Sequence, residues 1–171
     1  METILNIAIL DYEQACLDQI SRLCSSFEKD FGYSAETILF GSAEAFLEAF
    51  EADSFDLVFM DIYMEGMDGV AAALEMRRLD IGCLLIFLTS STEFMPDAFS
   101  CHAFEYVTKP FSKERIFDVL SDAVKVLPQE QKYIELAADR KIVRVFLDDI
   151  ISAVSNAHYI ELTLTDKEKL R

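Results

Sequence analysis

Phe55-Asp56-Leu57-Val58-Phe59-Met60-Asp61 decides how this chain folds. Leu57, Val58, Phe59 and Met60 are all apolar, with none of the alternation of a strand that keeps one face wet. Both faces must therefore be covered, as they are in a central strand of a parallel sheet. The predicted strand, residues 55–60, runs directly into an acid, Asp61.

Working outward, short apolar strands alternate with longer helical patterns. Residues 4–10 form a predicted buried strand. Residues 12 to about 30 follow as a helix, with Leu17, Ile20, Leu23, Cys24 and Phe27 at helical spacing. A second strand at 37–40 leads through Gly41-Ser42 into a helix that Ser42 caps. Beyond the central strand come a helix at 69–79 and a strand at 84–88. Residues 92–101 form a poorer helix, because Pro96 must sit in its first turn or end it. A fifth strand at 103–107 precedes an amphipathic helix at 111–126, with Ser112 as cap and Ile116, Val119, Leu120, Ala123 and Val124 inward. Five such repeats predict right-handed βαβ crossovers with helices on both faces of a parallel sheet. The fold class is α/β, a doubly wound (βα)5 sheet of flavodoxin-like form, and its functional crevice lies beyond the carboxyl ends of the strands.

After residue 126 the character changes. The polar stretch at 127–132 is a linker. Beyond it lie β-rich segments at 133–136, 142–146, 150–154 and 159–164, with Asp139-Arg140 as a hairpin turn between the first two. Four short strands without a helix are too little for a separate stable domain, so the chain is expected to stop inside its second domain.

The formal charge of the 171 residues is −16. Residues 1–132 hold 24 acids and 9 bases, a net of −15, and residues 133–171 hold 7 acids and 6 bases, a net of −1. The acidic first part is unsuited to contact nucleic acid or anionic membranes directly. Cys16, Cys24, Cys83 and Cys101 have no CxxC spacing and are expected as buried free thiols in a reducing compartment. No apolar run reaches about 18 residues, and the N-terminus lacks the basic start of a signal peptide. A soluble, cytoplasmic protein without membrane association is expected. His102 and His158 have no partners at ligand spacing and are read as structural.

Four strand ends carry polar residues where a buried sheet should be apolar: Asp11, Asp61, Thr89 and, just past the fifth strand, Lys109. Each alone fits a helix cap or a solvated lysine, but together they bring two carboxylates, a hydroxyl and an ammonium to one crevice. That set suits phosphoryl transfer to a carboxylate. Asp61 would be the nucleophile, Mg²⁺ would bridge carboxylate and phosphoryl oxygens, and Lys109 and Thr89 would each contact a phosphoryl oxygen.

Asp61-Ile62-Tyr63-Met64-Glu65-Gly66-Met67-Asp68-Gly69, Leu88-Thr89-Ser90 and Tyr106-Val107-Thr108-Lys109-Pro110-Phe111 resemble, in order and spacing, the signature segments of the receiver domains of two-component response regulators, over about residues 1–126. The resemblance implies that Asp61 accepts a phosphoryl group from a sensor histidine kinase. It implies that the Tyr63 backbone carbonyl joins Asp11 and Asp61 as a metal ligand, and that Lys109-Pro110 is a cis peptide. It also implies that Tyr106 is an aromatic switch coupled to Thr89, and that residues 93–126 form the output and homodimer surface. One position departs. The family has two acids at the end of the first strand, whereas Leu10-Asp11-Tyr12-Glu13 places Tyr12 where the second acid, the direct metal ligand, belongs. A phenol is a poor Mg²⁺ ligand beside a carboxylate, so either Asp11 and Glu13 hold the ion through more water, or metal binding is weak.

Residues 133–136, 141–146, Asp148-Asp149-Ile150-Ile151 and His158-Tyr159-Ile160-Glu161-Leu162 resemble the opening of a LytTR-type DNA-binding domain. That implies a partial domain over 133–171 whose completed form binds DNA; a β extension that pairs with another chain is the alternative. Together the resemblances imply a transcription-regulating response regulator. A pseudo-receiver, a protein-interaction module working without phosphorylation, is the second reading, and Tyr12 is its motive. An enzyme on this fold is not expected. A haloacid-type phosphatase needs a second Asp where Tyr63 stands, and a flavin carrier needs a Ser/Thr/Gly-rich loop where Asp11-Tyr12-Glu13-Gln14 stands.

Overall fold

The computed structural model describes residues 4–31, 33–127, 133–138, 141–156, 159–165 and 169–170. It divides into two compact units, Met1–Leu127 and Pro128–Arg171. Residues 128–132 of the linker, the Asp139-Arg140 turn and His158 lie outside the described residues.

In the first unit β1 (Ile4–Leu10), β2 (Ser34–Phe40), β3 (Leu57–Asp61), β4 (Leu84–Thr89) and β5 (Glu105–Thr108) form one sheet in the order β2-β1-β3-β4-β5, all neighbours parallel. The intervening helices are α1 (Gln14–Phe31), α2 (Ala43–Ala49), α3 (Gly69–Leu79), α4 (Met95–Ser100) and α5 (Lys113–Val126). This is the flavodoxin-like α/β fold.

The period-2 geometry of a strand divides the apolar residues between two cores. Ile7, Ile9, Leu57, Phe59, Ile86, Leu88 and Val107 face one way and pack on Leu17, Ile20, Cys24 and Phe27 of α1 and on Ile116, Val119, Leu120, Ala123 and Val124 of α5. Ala8, Leu10, Val58, Met60, Leu85 and Phe87 face the other way, toward α2, α3 and α4. There Phe40, Phe46, Phe50 and Phe55 make edge, tilted and stacked ring contacts at 5.1–6.2 Å. Phe59 is fully buried, and truncating such a ring to Ala costs roughly 3–5 kcal/mol.

Several boundaries shift for local reasons. The second strand starts at Ser34 rather than 37: its polar start is half-exposed on the sheet edge, yet pairs with β1 from Ile4↔Ser34 onward. The first helix starts at Gln14, because Asp11 Oδ1 accepts the Glu13 N–H at 2.8 Å and holds Tyr12 and Glu13 in a turn. Ser42 and Ser112 cap α2 and α5, accepting from Ala45 and Arg115 N–H at 3.2 and 3.1 Å. α4 is reduced to 6 residues with Pro96 in its first turn. All four cysteines are buried free thiols. Among the described residues no helix is long and apolar enough to cross a membrane.

In the second unit β6 (Tyr133–Ala138) and β7 (Lys141–Phe146) form an antiparallel pair. β8 (Ile150–Asn156), β9 (Tyr159–Leu164) and β10 (Lys169–Leu170) form a three-stranded sheet. Val145, Leu162 and Leu164 are its buried centre, with Ile134, Leu136, Val143 and Ile150 packed around them. Ile142, Ile151, Val154 and Ile160 are exposed.

Candidate phosphoacceptor site

The parallel register brings the chosen residues to one edge. Asp61 closes β3, Thr89 closes β4 one residue beyond the Leu88 that pairs with Asp61, and Thr108 pairs with Thr89 and leads to Lys109. Asp11 follows β1 and donates its N–H to the Phe40 carbonyl at 3.2 Å. Asp11 and Thr89 are fully buried and Asp61 is 2% exposed.

The two acids share one logic. Each uses Oδ1 for a turn of its own loop: Asp11 accepts Glu13 N–H at 2.8 Å, and Asp61 accepts Tyr63 N–H at 3.2 Å. Each gives Oδ2 to the Lys109 ammonium, at 2.6 Å for Asp11 and 3.1 Å for Asp61. Burial works against the Lys109 charge, but the hydrogen bond to Asp11 and the charge of Asp61 outweigh it and hold the ammonium above the ordinary lysine value. Asp61 goes the other way. Burial raises its carboxyl more than the shared, longer contact with Lys109 lowers it, so it lies above the usual aspartate value. Lys109 thus lies closer to Asp11 than to Asp61, and the Asp61 carboxyl stays above its ordinary value because burial is not fully offset.

Tyr12 stands outside this pairing. It is 53% exposed, and its phenol, hydrogen-bonded to Glu13, is held above the ordinary tyrosine value. Tyr12, Tyr63, Met64 and Glu65 line an open depression of about 340 Å³, and the Tyr63 ring meets Phe94 edge-on at 5.4 Å. On the far side Thr89 Oγ1 accepts Ser91 N–H at 3.3 Å, and the Tyr106 hydroxyl donates to the Ser91 carbonyl at 2.6 Å. Ser91 therefore joins the site hydroxyl to the aromatic ring. The Lys109–Pro110 peptide is cis.

Among the described residues no group of three or more acid, histidine or cysteine side chains could hold a metal. The donor set still fits a hard divalent cation. Mg²⁺ retains several waters and is commonly held by one or two carboxylates, and Asp11 and Asp61 supply two that converge on one ammonium.

Four contributors escaped sequence reading. Gly69 is obligatory, since a Cβ there would collide with the Asp61 carbonyl oxygen. Cys16, whose thiol is pushed up to about 12 by burial and by its hydrogen bond to Asp11, packs behind the acids. Ser91, a polar loop residue, carries no periodic signal, and Glu44, in the first turn of α2, reaches the loop through the Met67 N–H. In the sequence the loop stood out only as the whole 61–69 segment, through its resemblance to the receiver signature.

The response regulator receiver domain family model matches residues 7–121, whereas no DNA-binding domain family is detected in the chain. The transcriptional regulatory protein RprY of Bacteroides fragilis is 35% identical over 101 residues, covering 58% of this chain and 42% of that protein. The sensory transduction protein LytR of Streptococcus mutans is 27% identical over 185 residues, covering 95% of this chain and 70% of that protein. The chain thus spans under half the length of the first of these relatives. A CheY-like receiver domain from Methanospirillum hungatei superposes with a TM-score of 0.62 at 23% identity, over 72% of this chain and 95% of that one, and shares its fold. With the family match running through all five strands and the loops that carry Asp61, Thr89 and Lys109, this chain belongs to the response regulator receiver domain family.

Proposed function

We propose that the chain is the input part of a transcription-regulating response regulator, in which Asp61 accepts a phosphoryl group from the phosphohistidine of a sensor histidine kinase. The carrying observation is the buried carboxylate pair of Asp11 and Asp61 tied to one ammonium at the carboxyl edge of the sheet. An Asp61 carboxylate oxygen attacks phosphorus, the O–P bond forms, and the P–N bond breaks with its electron pair returning to the imidazole. Lys109 moves from Asp61 toward the arriving phosphoryl oxygens and keeps its bond to Asp11. The Thr89 hydroxyl donates to another phosphoryl oxygen. Asp11, Asp61 and the Tyr63 carbonyl would hold Mg²⁺, which would neutralise the gathering negative charge. Drawing Thr89 inward changes its bond with Ser91, and through the Ser91 carbonyl it reaches Tyr106, the proposed switch.

Residues 1–126 are proposed as receiver, 127–132 as linker and 133–171 as part of a LytTR-type domain that binds DNA when complete. The relatives' names, transcriptional regulatory and sensory transduction, agree with that role. The homodimer surface is proposed at residues 93–126, a reading supported by the cavity of about 270 Å³ that Met95, Ala98, Phe99, Phe104 and Tyr106 help to line.

The pseudo-receiver reading is favoured by Tyr12, an exposed phenol at the position of a metal-binding acid. Beryllofluoride with millimolar Mg²⁺, titrated against wild type and Asp61→Asn, separates the two. Saturable binding that the Asn variant loses supports phosphoacceptance, and no binding by wild type supports the pseudo-receiver.

A further inference from the structure

The loop at residues 62–68 leaves β3 beside Asp61 and returns to the same place. At its base the Gly69 N–H donates to the Ile62 carbonyl at 2.9 Å, and beside the acceptor the Tyr63 N–H donates to Asp61 Oδ1 at 3.2 Å. Its outer bend is held from another element. The Met67 N–H donates to Oε1 of Glu44, in the first turn of α2, at 2.9 Å. Gly66, one residue earlier, adopts φ +81°, and a Cβ there would stand 2.6 Å from the same Glu44 oxygen. A left-handed glycine thus opens the space that the carboxylate fills, and the next residue supplies the N–H that it accepts.

Glu44 is not needed to cap its own helix, because Ser42 Oγ already accepts the Ala45 N–H. Its carboxyl lies below the usual glutamate value, held there by its own backbone N–H and then by that of Met67. Among the described residues this is the side-chain hydrogen bond that ties α2 to the loop carrying Tyr63.

We propose that Glu44 is a positioning residue for the Asp61 site: its carboxylate clamps the outer bend of the 62–68 loop and so fixes the Tyr63 backbone against the acceptor oxygen. Its consequence for phosphoryl chemistry rests on the phosphoacceptor reading of Asp61, whereas the clamp itself does not.

The test uses the 171-residue chain with Glu44→Ala, Glu44→Gln and Gly66→Ala. Amide hydrogen exchange without added metal should speed up about tenfold at Met67 in Glu44→Ala, the factor that loss of one charge-assisted hydrogen bond carries. Tyr63 and Gly69, which Glu44 does not touch, should speed up with it while the amides of α3 stay protected. Glu44→Gln keeps an acceptor oxygen and should restore most of the protection, and Gly66→Ala, which both crowds the carboxylate and strains a left-handed φ, should speed exchange at Met67 at least as much as Glu44→Ala. Beryllofluoride affinity at fixed Mg²⁺ should fall about fivefold in Glu44→Ala, by the same loss of loop order. Faster exchange at Met67 alone, or equal beryllofluoride affinity in Glu44→Ala and wild type, overturns the proposal. Failure of wild type itself to bind beryllofluoride instead overturns the phosphoacceptor reading, and the pattern at Tyr63 and Gly69 then decides on the clamp.

Discussion

Lys109 donates to Asp61 across 3.1 Å, from a side chain 19% exposed to one 3% exposed. The same ammonium holds Asp11, so its removal strands two carboxylates out of water. Breaking a buried pair from one side costs more than the pair contributes, because the remaining charge loses its partner and recovers no hydration. Lys109→Met should lower unfolding free energy by about 3 kcal/mol, measured by urea denaturation at neutral pH. Adding Asp61→Asn should recover part of that loss, since one stranded charge is gone.

Asp61→Asn alone should raise stability at neutral pH. Burial holds the folded-state carboxyl above its ordinary value. The folded state therefore takes up a proton before the unfolded chain does, so ionised Asp61 opposes folding above both values. The opposition fades as pH falls through the raised value. The variant should gain about 1 kcal/mol, or roughly 2–4 °C in Tm, at pH 7. The gain should shrink toward pH 4 in melts followed by circular dichroism.

Asp80 gives the opposite sign. Burial raises its carboxyl, but N–H donors from Asp53, Cys83 and Gly82, at 3.1, 3.0 and 2.6 Å, outweigh burial and hold it below the usual value. A depressed acid stabilises above its unfolded value, about 3.9, and that contribution is lost as pH falls through the folded value. Asp80→Ala should cost about 2 kcal/mol at pH 7. The difference from wild type should close below about pH 4 as wild-type Asp80 protonates.

The fold was legible because the chain's cores obey simple periods. Leu57 to Met60 announced a doubly covered strand, and the five α5 residues read as inward are the five that are buried. Edge strand β2 was read short, since half-exposed Ser34 and exposed Glu36 pair through their backbones, and backbone pairing leaves no mark on side-chain pattern. At the site, Asp11, Asp61, Thr89 and Lys109 stood out as polar residues at apolar strand ends. Arg77 did not. Its guanidinium, on α3, donates to the carbonyls of Asp80, Cys83, Cys101 and His102, and basic residues in a last helical turn are ordinary. Glu44 escaped for a like reason, as an acid in a first turn is expected whatever it touches.

Phe99 is 83% exposed beside the cavity that Met95, Phe104 and Tyr106 help to line. An aromatic ring left in water next to an apolar hollow is the kind of anchor that dominates interfaces. If residues 93–126 carry the homodimer, Phe99→Asp should weaken beryllofluoride-induced self-association by at least about tenfold, given hot-spot costs near 2 kcal/mol. Sedimentation equilibrium checks this. Unchanged association moves the interface elsewhere.

Tyr12 is the position at which the proposed Asp61 site departs from the two-acid pattern of the family. It follows Asp11 directly, and its 53% exposure leaves room for another side chain without disturbing either core. A carboxylate there would be a third hard oxygen donor near Asp11 and Asp61, and each hard anionic ligand strengthens an oxygen site for Mg²⁺. Tyr12→Asp should tighten Mg²⁺ binding by about tenfold, the equivalent of 1.4 kcal/mol, in calorimetric titration. Tyr12→Phe should leave it unchanged, because the phenol contributes no ligand. Gain in the Asp variant together with unaltered binding in the Phe variant would show that a carboxylate missing at position 12 limits Mg²⁺ affinity. Loss of binding in Tyr12→Phe would instead make the phenol oxygen a ligand. Equal binding in all three would mean that Asp11 and Asp61 already set the affinity, so that Tyr12 places no limit on phosphorylation.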